Sequence, residues 1–117
     1  MEQPSESTRS TRLRLETTDM ADGRVNVTVD GDVDMATSDY FRQTLMRHVT
    51  EPAVTDLVVD AGRLAFIDSN GVTVLVKVHR AARERGISFG ITNTQDPVRG
   101  LLELLGVYDL LARVEAS

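Results

Sequence analysis

Three places in the chain carry side chains that could do chemistry. Asp68-Ser69-Asn70-Gly71 places a hydroxyl between two polar side chains, just after the apolar pair Phe66-Ile67. At a strand-to-helix junction such a serine can cap the helix. It can also accept a phosphoryl group, because free amides and the dipole at a helix N-terminus stabilise a phosphate. Spacing alone favours the cap. Gly31-Asp32-Val33-Asp34 follows an alternating apolar run and belongs to an acidic stretch. Six acids lie from Asp19 to Asp39, against Arg24 as the one base. Charge runs of this kind are first of all solvated surface. The functional alternatives are a cation site or an acidic face for a basic partner, and the spacing lacks the twelfth-position glutamate of a calcium loop. The third place is the histidine pair, His48 and His79. Neither has a second ligand at metal-binding spacing, so both are read as structural.

The chemistry the chain lacks is as informative. It has no cysteine, which removes disulfides, thiolate nucleophiles and thiolate metal sites. There is no Gly-x-Ser-x-Gly elbow, no Walker loop and no dinucleotide-binding glycine run. No recognisable general base accompanies Ser69. These absences argue against an enzyme, and no cofactor or metal is expected. The 117 residues fit one domain with a real core. The formal net charge of −5 disfavours nucleic acid and anionic membranes as partners. No apolar stretch is long enough to span a bilayer and no export signal is visible, so a cytoplasmic protein without membrane insertion is expected.

The elements that must position these residues follow from periodicity. Residues 1–10 are rich in Ser, Thr, Glu and Arg and are expected to be a disordered tail, with the domain at 11–117. Leu13 and Leu15, then Val25, Val27 and Val29, alternate with polar residues as strands do. Asp22-Gly23 between them predicts an antiparallel hairpin. Asp30-Gly31 reads as the end of the second strand. Thr37 is a plausible N-cap, with Asp39 in the first turn and Phe41, Leu45 and Val49 on one helical stripe. Leu57-Val58-Val59 is a short apolar run that suits a strand covered on both faces.

Ser69 to Arg85 is the hard segment. Its first half is β-branched, which favours a strand. Its 17 residues, its basic C-terminal half (Lys77, Arg80, Arg83, Arg85) and Gly86 as a stop favour a helix, and helix is the prediction. Ile87, Phe89 and Ile91 alternate as another strand. Asp96 is expected to cap a last helix, with Pro97 in its first turn and Val98, Leu101, Leu102 and Leu105 on its buried stripe. Gly106 ends it, and Val107 to Val114 forms an apolar tail over the core. The order β, β, α, β, α, β, α predicts an α/β fold. Its mixed sheet has four or five strands, an N-terminal hairpin and right-handed helical crossovers.

On these residues the chain resembles the STAS-domain anti-sigma factor antagonists of bacteria. FIDSNGVTVLVKVHRAARERG is similar to the family's run of an aromatic residue, an apolar residue, Asp-Ser-Ser/Thr-Gly and a helix ending in Gly. Phe66, Ile67, Asp68, Ser69 and Gly71 carry the match. GDVD resembles the Gly-acid-apolar-Asp motif, with Thr37 at the family's capping place. DPVRGLLELLGVYDLL resembles the Ser-Pro, apolar helix and Gly segment. The likeness runs from about Leu13 to Val114. It departs at Asn70, where the family has Ser or Thr, at Thr73, where Gly is common, and at Asp96, which replaces Ser.

The resemblance implies a STAS-type single domain and a partner switch. The unphosphorylated antagonist would bind an anti-sigma factor that is also a serine kinase, freeing the sigma factor. The kinase would phosphorylate Ser69 and end binding, and a PP2C-type phosphatase would restore it. Ser69 is then the phosphoacceptor, reversing the preference from spacing. The implied partner surface comprises Asp32, Asp34, Asp68, Asn70, Gly71 and Thr73. Two other readings stay open: a STAS scaffold or subunit working without phosphorylation, and a small nucleotide-binding or hydrolytic domain.

Overall fold

The alternating valines of the first half and the apolar stripes of the helices meet in one core. The computed structural model describes residues 12–19 and 21–113. Strand β1 (Leu13–Asp19) turns back through a short 3-10 segment, Ala21–Gly23, into β2 (Arg24–Val33). Helix α1 (Ser38–Val49) leads to β3 (Asp56–Ile67), α2 (Ser69–Glu84), β4 (Ser88–Thr92), α3 (Asp96–Leu104) and the short α4 (Tyr108–Leu111). The sheet order is β1-β2-β3-β4. The first pair is antiparallel, and the next two pairs are parallel. This is the predicted mixed sheet with its N-terminal hairpin. Beyond β4 the chain adds a single bridge, Ile91 to Ala112, a rudimentary fifth position.

The helices cover one face of the sheet. Val25, Val27, Val29 and Val33 of β2 and Leu57, Val59, Ala61, Leu64 and Ile67 of β3 join Phe41, Leu45, Val49, Leu75, Val78, Val98, Leu102 and Leu111 in one buried cluster. The other face is polar, with Arg14, Glu16, Thr28, Asp30, Asp60 and Arg63 lining a shallow groove. Gly86, next after the C-cap residue Arg85, stops α2 at φ +74°, and the β-branched start of that segment is helical after all. Tertiary packing of its apolar side decides what propensity left ambiguous.

Several boundaries differ from expectation. β3 is 12 residues long rather than the short run around Val58. Leu57, Val59 and Ala61 alternate into the core, Val58 is buried outside that cluster, and the spacing becomes three afterwards, at Leu64 and Ile67. The register slips at those places: Thr28 faces Asp60, but Asp30 faces Arg63; Gly31 faces Leu64, but Asp32 faces Phe66. Two bulges each add a residue to β3 and reset its alternation. The first is braced by the Asp60 carboxylate, which accepts from the Gly62 amide at 2.9 Å. β2 also runs further than expected, so Gly31, Asp32 and Val33 are strand and not loop. Gly31 has φ +121°, and a Cβ there would collide with the Arg12 carbonyl. That close antiparallel approach is why a glycine stands at this position.

The last helix starts at Asp96 with Gln95 as the flanking residue, so Asp96 sits in the first turn rather than at the cap. Its charge still faces the positive end of the dipole. Val98 and Leu102 are buried as expected, but Leu105 is 45 % exposed. The helix ends before Leu105, whose side chain therefore leaves the stripe. The expected apolar tail contains α4, which buries Leu111; Val114 and residues 1–10 lie outside the described residues.

Arg113, the last described residue, is held by charge. The Arg113 guanidinium donates to both oxygens of Asp56, one at 2.8 Å, and its backbone amide donates to the Ile91 carbonyl at 2.9 Å. Arg24 approaches the same carboxylate at 3.4 Å. The Arg113 hydrogen bond holds the Asp56 carboxyl below its ordinary value, against the opposing effect of burial. A folded value below the unfolded one stabilises the native state above about pH 4, and the gain is lost as pH falls through the folded value. Asp56→Asn is expected to cost about 1–3 kcal/mol at neutral pH. Urea unfolding as a function of pH checks this: the gap between wild type and variant should close on the acid side.

Candidate functional site

Two turns meet where β2 and β3 end side by side. Val33 faces Ile67 in parallel register, and the Asp68 amide donates to the Val33 carbonyl at 3.1 Å. Both strands therefore deliver their next residues, Asp34 and Asp68, to the same edge of the sheet, with Ser69 one residue further on. In parallel α/β sheets this carboxyl edge is where sites form.

Asp68, not Ser69, is the N-cap of α2. Its Oδ1 accepts from the amides of Asn70 at 2.9 Å and Gly71 at 3.2 Å. The Asn70 side-chain amide donates to the other oxygen at 3.3 Å. The expectation that Ser69 caps the helix is therefore corrected. A carboxylate one residue earlier already satisfies the free amides, and its charge suits the dipole better than a hydroxyl. Ser69 is the first residue inside the helix. It is exposed, and its hydroxyl makes no hydrogen bond among the described residues. Asp68→Ala is expected to cost about 0.5–2 kcal/mol, while Asp68→Asn keeps most of the cap. Thermal melting of the three proteins checks the order.

The other expected partner residues divide by exposure. Asn70 and Thr73 are exposed on α2, and the Thr73 hydroxyl donates back to the Ser69 carbonyl at 2.9 Å. Asp32 is half-buried. Gly71 is buried and has no surface to present, contrary to its expected place in the partner surface. A Cβ on Gly71 would lie 2.6 Å from Ile67 Cγ1 and 2.7 Å from Val33 Cγ1. The glycine is there so that the first turn of α2 can rest on the two strand ends.

Asp34 is occupied within the chain. One oxygen accepts from the amides of Ala36 and Thr37 at 2.9 and 3.2 Å, and the other pairs with the Arg12 guanidinium. Thr37 occupies the N-cap place of α1 but gives its side chain no capping bond. The hydroxyl is fully buried and turned back, donating to the Asp32 carbonyl at 2.8 Å and accepting from the Asp34 amide at 3.0 Å. Asp34 and Thr37 thus lock the turn that carries Met35. Met35 is 77 % exposed and Phe66, opposite Asp32 in the register, is 50 % exposed. Reading the sequence for charge and hydroxyls missed these two apolar side chains. Phe66 belongs to the motif around Ser69, but nothing local in the sequence signals that a bulge turns it outward.

The histidines are remote from this edge. His48 is half-buried on α1 beside the Thr17 hydroxyl at 3.3 Å, and burial, then Arg47, lowers its pKa. His79 packs edge-on to Phe89, with ring centres 6.3 Å apart. Among the described residues no three His, Cys, Asp or Glu gather to hold a metal. No helix among them is long and apolar enough to cross a membrane.

The chain is 24 % identical over 89 residues to an anti-sigma F factor antagonist of Paenibacillus polymyxa, covering 76 % of each. It superimposes on an anti-sigma factor antagonist from Mycobacterium paratuberculosis with a TM-score of 0.71 and 25 % identity. That match covers 85 % of this chain and 82 % of the other. SpoIIAA of Bacillus in its phosphorylated form gives a TM-score of 0.68 at 18 % identity, over 86 % and 91 % of the two chains. The family model of the STAS domain matches residues 14–117. This match over most of the chain places it in the STAS domain family, to which it belongs.

Proposed function

We propose that this STAS domain is an anti-sigma factor antagonist working as a phosphorylation-controlled partner switch. Unphosphorylated, it binds an anti-sigma factor that is also a serine kinase, and the sigma factor is set free. The kinase then moves the γ-phosphoryl group of ATP to Ser69. A bond forms from Ser69 Oγ to phosphorus, and the bond from that phosphorus to the bridging oxygen of ADP breaks. The hydroxyl proton goes to a base of the kinase. A PP2C-type phosphatase hydrolyses the phosphoserine and resets the switch. ATP as donor makes the cytoplasm the setting.

The observation that carries this reading is the exposed Ser69 hydroxyl, with the capping duty taken by Asp68. Such a hydroxyl can enter another protein's active site without unwinding the helix. Once phosphorylated, it adds about −1.5 to −2 charges at pH 7 beside Asp68. A partner docked there would have to desolvate that patch, so release needs no change of fold. In this reading the chain is a substrate and binding protein, and the kinase and phosphatase bring the catalysis.

The test is incubation with the serine-kinase anti-sigma factor of the same genome and ATP, followed by tandem mass spectrometry. One added phosphate on Ser69, and none on Ser69→Ala, is the expected result. Stable binding without phosphorylation of Ser69 would instead make the chain a non-phosphorylated STAS scaffold.

A further inference from the structure

The C-terminal half of α2 and its C-cap carry a concentration of positive charge without an ion pair among the described residues. Lys77, Arg80, Arg83 and Arg85 are all exposed. None has an ion-pair partner among the described residues. Arg12, Arg24, Arg42, Arg63, Arg99 and Arg113 each lie within 4.0 Å of a carboxylate; Arg14 and Arg47 are the other described arginines without an ion pair, and neither has a second unpaired arginine or lysine beside it in the chain. Glu84 is the one acid between Lys77 and Arg85, so this segment is net +3 in a chain of net −5. The helix dipole explains bases in the last turn. It does not explain Lys77 and Arg80, which lie further back.

Geometry joins this patch to Ser69. At 3.6 residues per turn, Arg80 falls about 20° around the axis from Ser69 and about 17 Å along it. Thr73 and Lys77 lie on the same side, within about 80°. The buried residues Val74, Leu75, Val78 and Ala82 take the opposite side against the sheet and α1. One exposed helix face therefore runs from the phosphoacceptor to Lys77, Arg80 and Arg83, while Arg85, the C-cap residue, lies about 160° around from Ser69.

We infer that this face of α2, from Lys77 to Arg83, docks an acidic region of the same partner that acts on Ser69. The inference rests on the partner-switch reading and extends it. Charge complementarity names the occupant: the patch is positive, unpaired and continuous with the residue that the partner must reach. It also couples docking to the switch. Phosphate at Ser69 brings about −1.5 to −2 charges onto a face whose attraction comes from a net +2, Lys77, Arg80 and Arg83 against Glu84. Much of the steering field is thereby cancelled, and the partner's acids meet a like charge. Such steering acts mainly on the association rate and fades with salt.

The experiment measures association with the purified serine-kinase anti-sigma factor by stopped flow, at low and high salt. The proteins are wild type, Lys77→Glu/Arg80→Glu, Lys77→Gln/Arg80→Gln, Ser69→Ala and Ser69→Asp, each checked for folding by circular dichroism. The Glu pair is expected to slow association at least about tenfold at low salt and little at high salt, with the Gln pair between. Should the Glu pair associate at the wild-type rate with an unchanged salt dependence, the docking role of α2 is overturned. The same holds if the patch proves to bind phosphatidylserine vesicles while kinase association is untouched. Ser69→Asp reports on the switch separately: if it binds as Ser69→Ala does, the partner-switch reading fails whatever the bases do.

Discussion

Ser69→Asp is expected to weaken binding to the anti-sigma factor about 100-fold, while Ser69→Ala binds as wild type and is never phosphorylated. The magnitude follows from like charge and desolvation at an interface, which together cost several kcal/mol, against about 1.4 kcal/mol for each tenfold. The new carboxylate would stand at the first position of α2, next to Asp68, on an exposed edge flanked by Met35 and Phe66. A negative charge there does not harm the fold, because the helix dipole favours it. The two variants should therefore melt within about 1 °C or on the stabilised side, and differ in calorimetric affinity alone. Equal affinity of the phosphorylated protein, Ser69→Asp and Ser69→Ala would remove the switch. Loss of binding by Ser69→Ala would mean that the hydroxyl itself is a contact.

Gly71→Val is expected to destabilise the domain by about 1–3 kcal/mol, and to move the phosphoacceptor as it does so. The added carbons must enter space held by Ile67 and Val33, both buried, at separations that side chains do not tolerate. Neither neighbour can retreat, because each sits at a strand end paired with the other in register. The first turn of α2 must lift instead. That strains the capping bonds from Asn70 and Gly71 to Asp68 and displaces Ser69 from its edge. Replacing glycine inside a helix normally gains up to about 1 kcal/mol, which is too little to offset the overpacking. For a domain near this size, each kcal/mol lowers the melting temperature by about 4–8 °C. Calorimetry reads the stability loss, and the phosphorylation rate of the surviving folded protein reads the displacement of Ser69. A variant as stable as wild type would show that α2 does not depend on this close approach.

These two predictions differ in where their grounds lie. Ser69 stands out in the sequence through its place in Asp-Ser-Asn-Gly after an apolar pair and before a long helix. The stripe of Phe41, Leu45 and Val49, the alternating valines of β2 and the order of strands and helices were equally legible. Each depends on spacing along the chain, and spacing decides which residues can share a face. The basic half of α2 was visible too, because charge is a property of composition.

The rest depends on contacts across the chain. Gly71 sits in a binding motif by sequence, but Val33 and Ile67 lie directly beneath it. The capping role passed from Ser69 to Asp68, and Thr37 turned its hydroxyl back toward Asp32. Asp34 proved to be committed to Arg12 and to its own turn, across 22 residues. Two bulges gave β3 a spacing of three, hiding the strand from any test for alternation and turning Phe66 outward. By itself the sequence determined the kind of elements, their order, the charge and the candidate acceptor, since local periodicity and side-chain chemistry suffice for these. Only the tertiary structure decided which polar groups are spent inside the fold and which are left for a partner. Hydrogen-bond and ion-pair satisfaction is settled through space, between residues that the chain keeps apart.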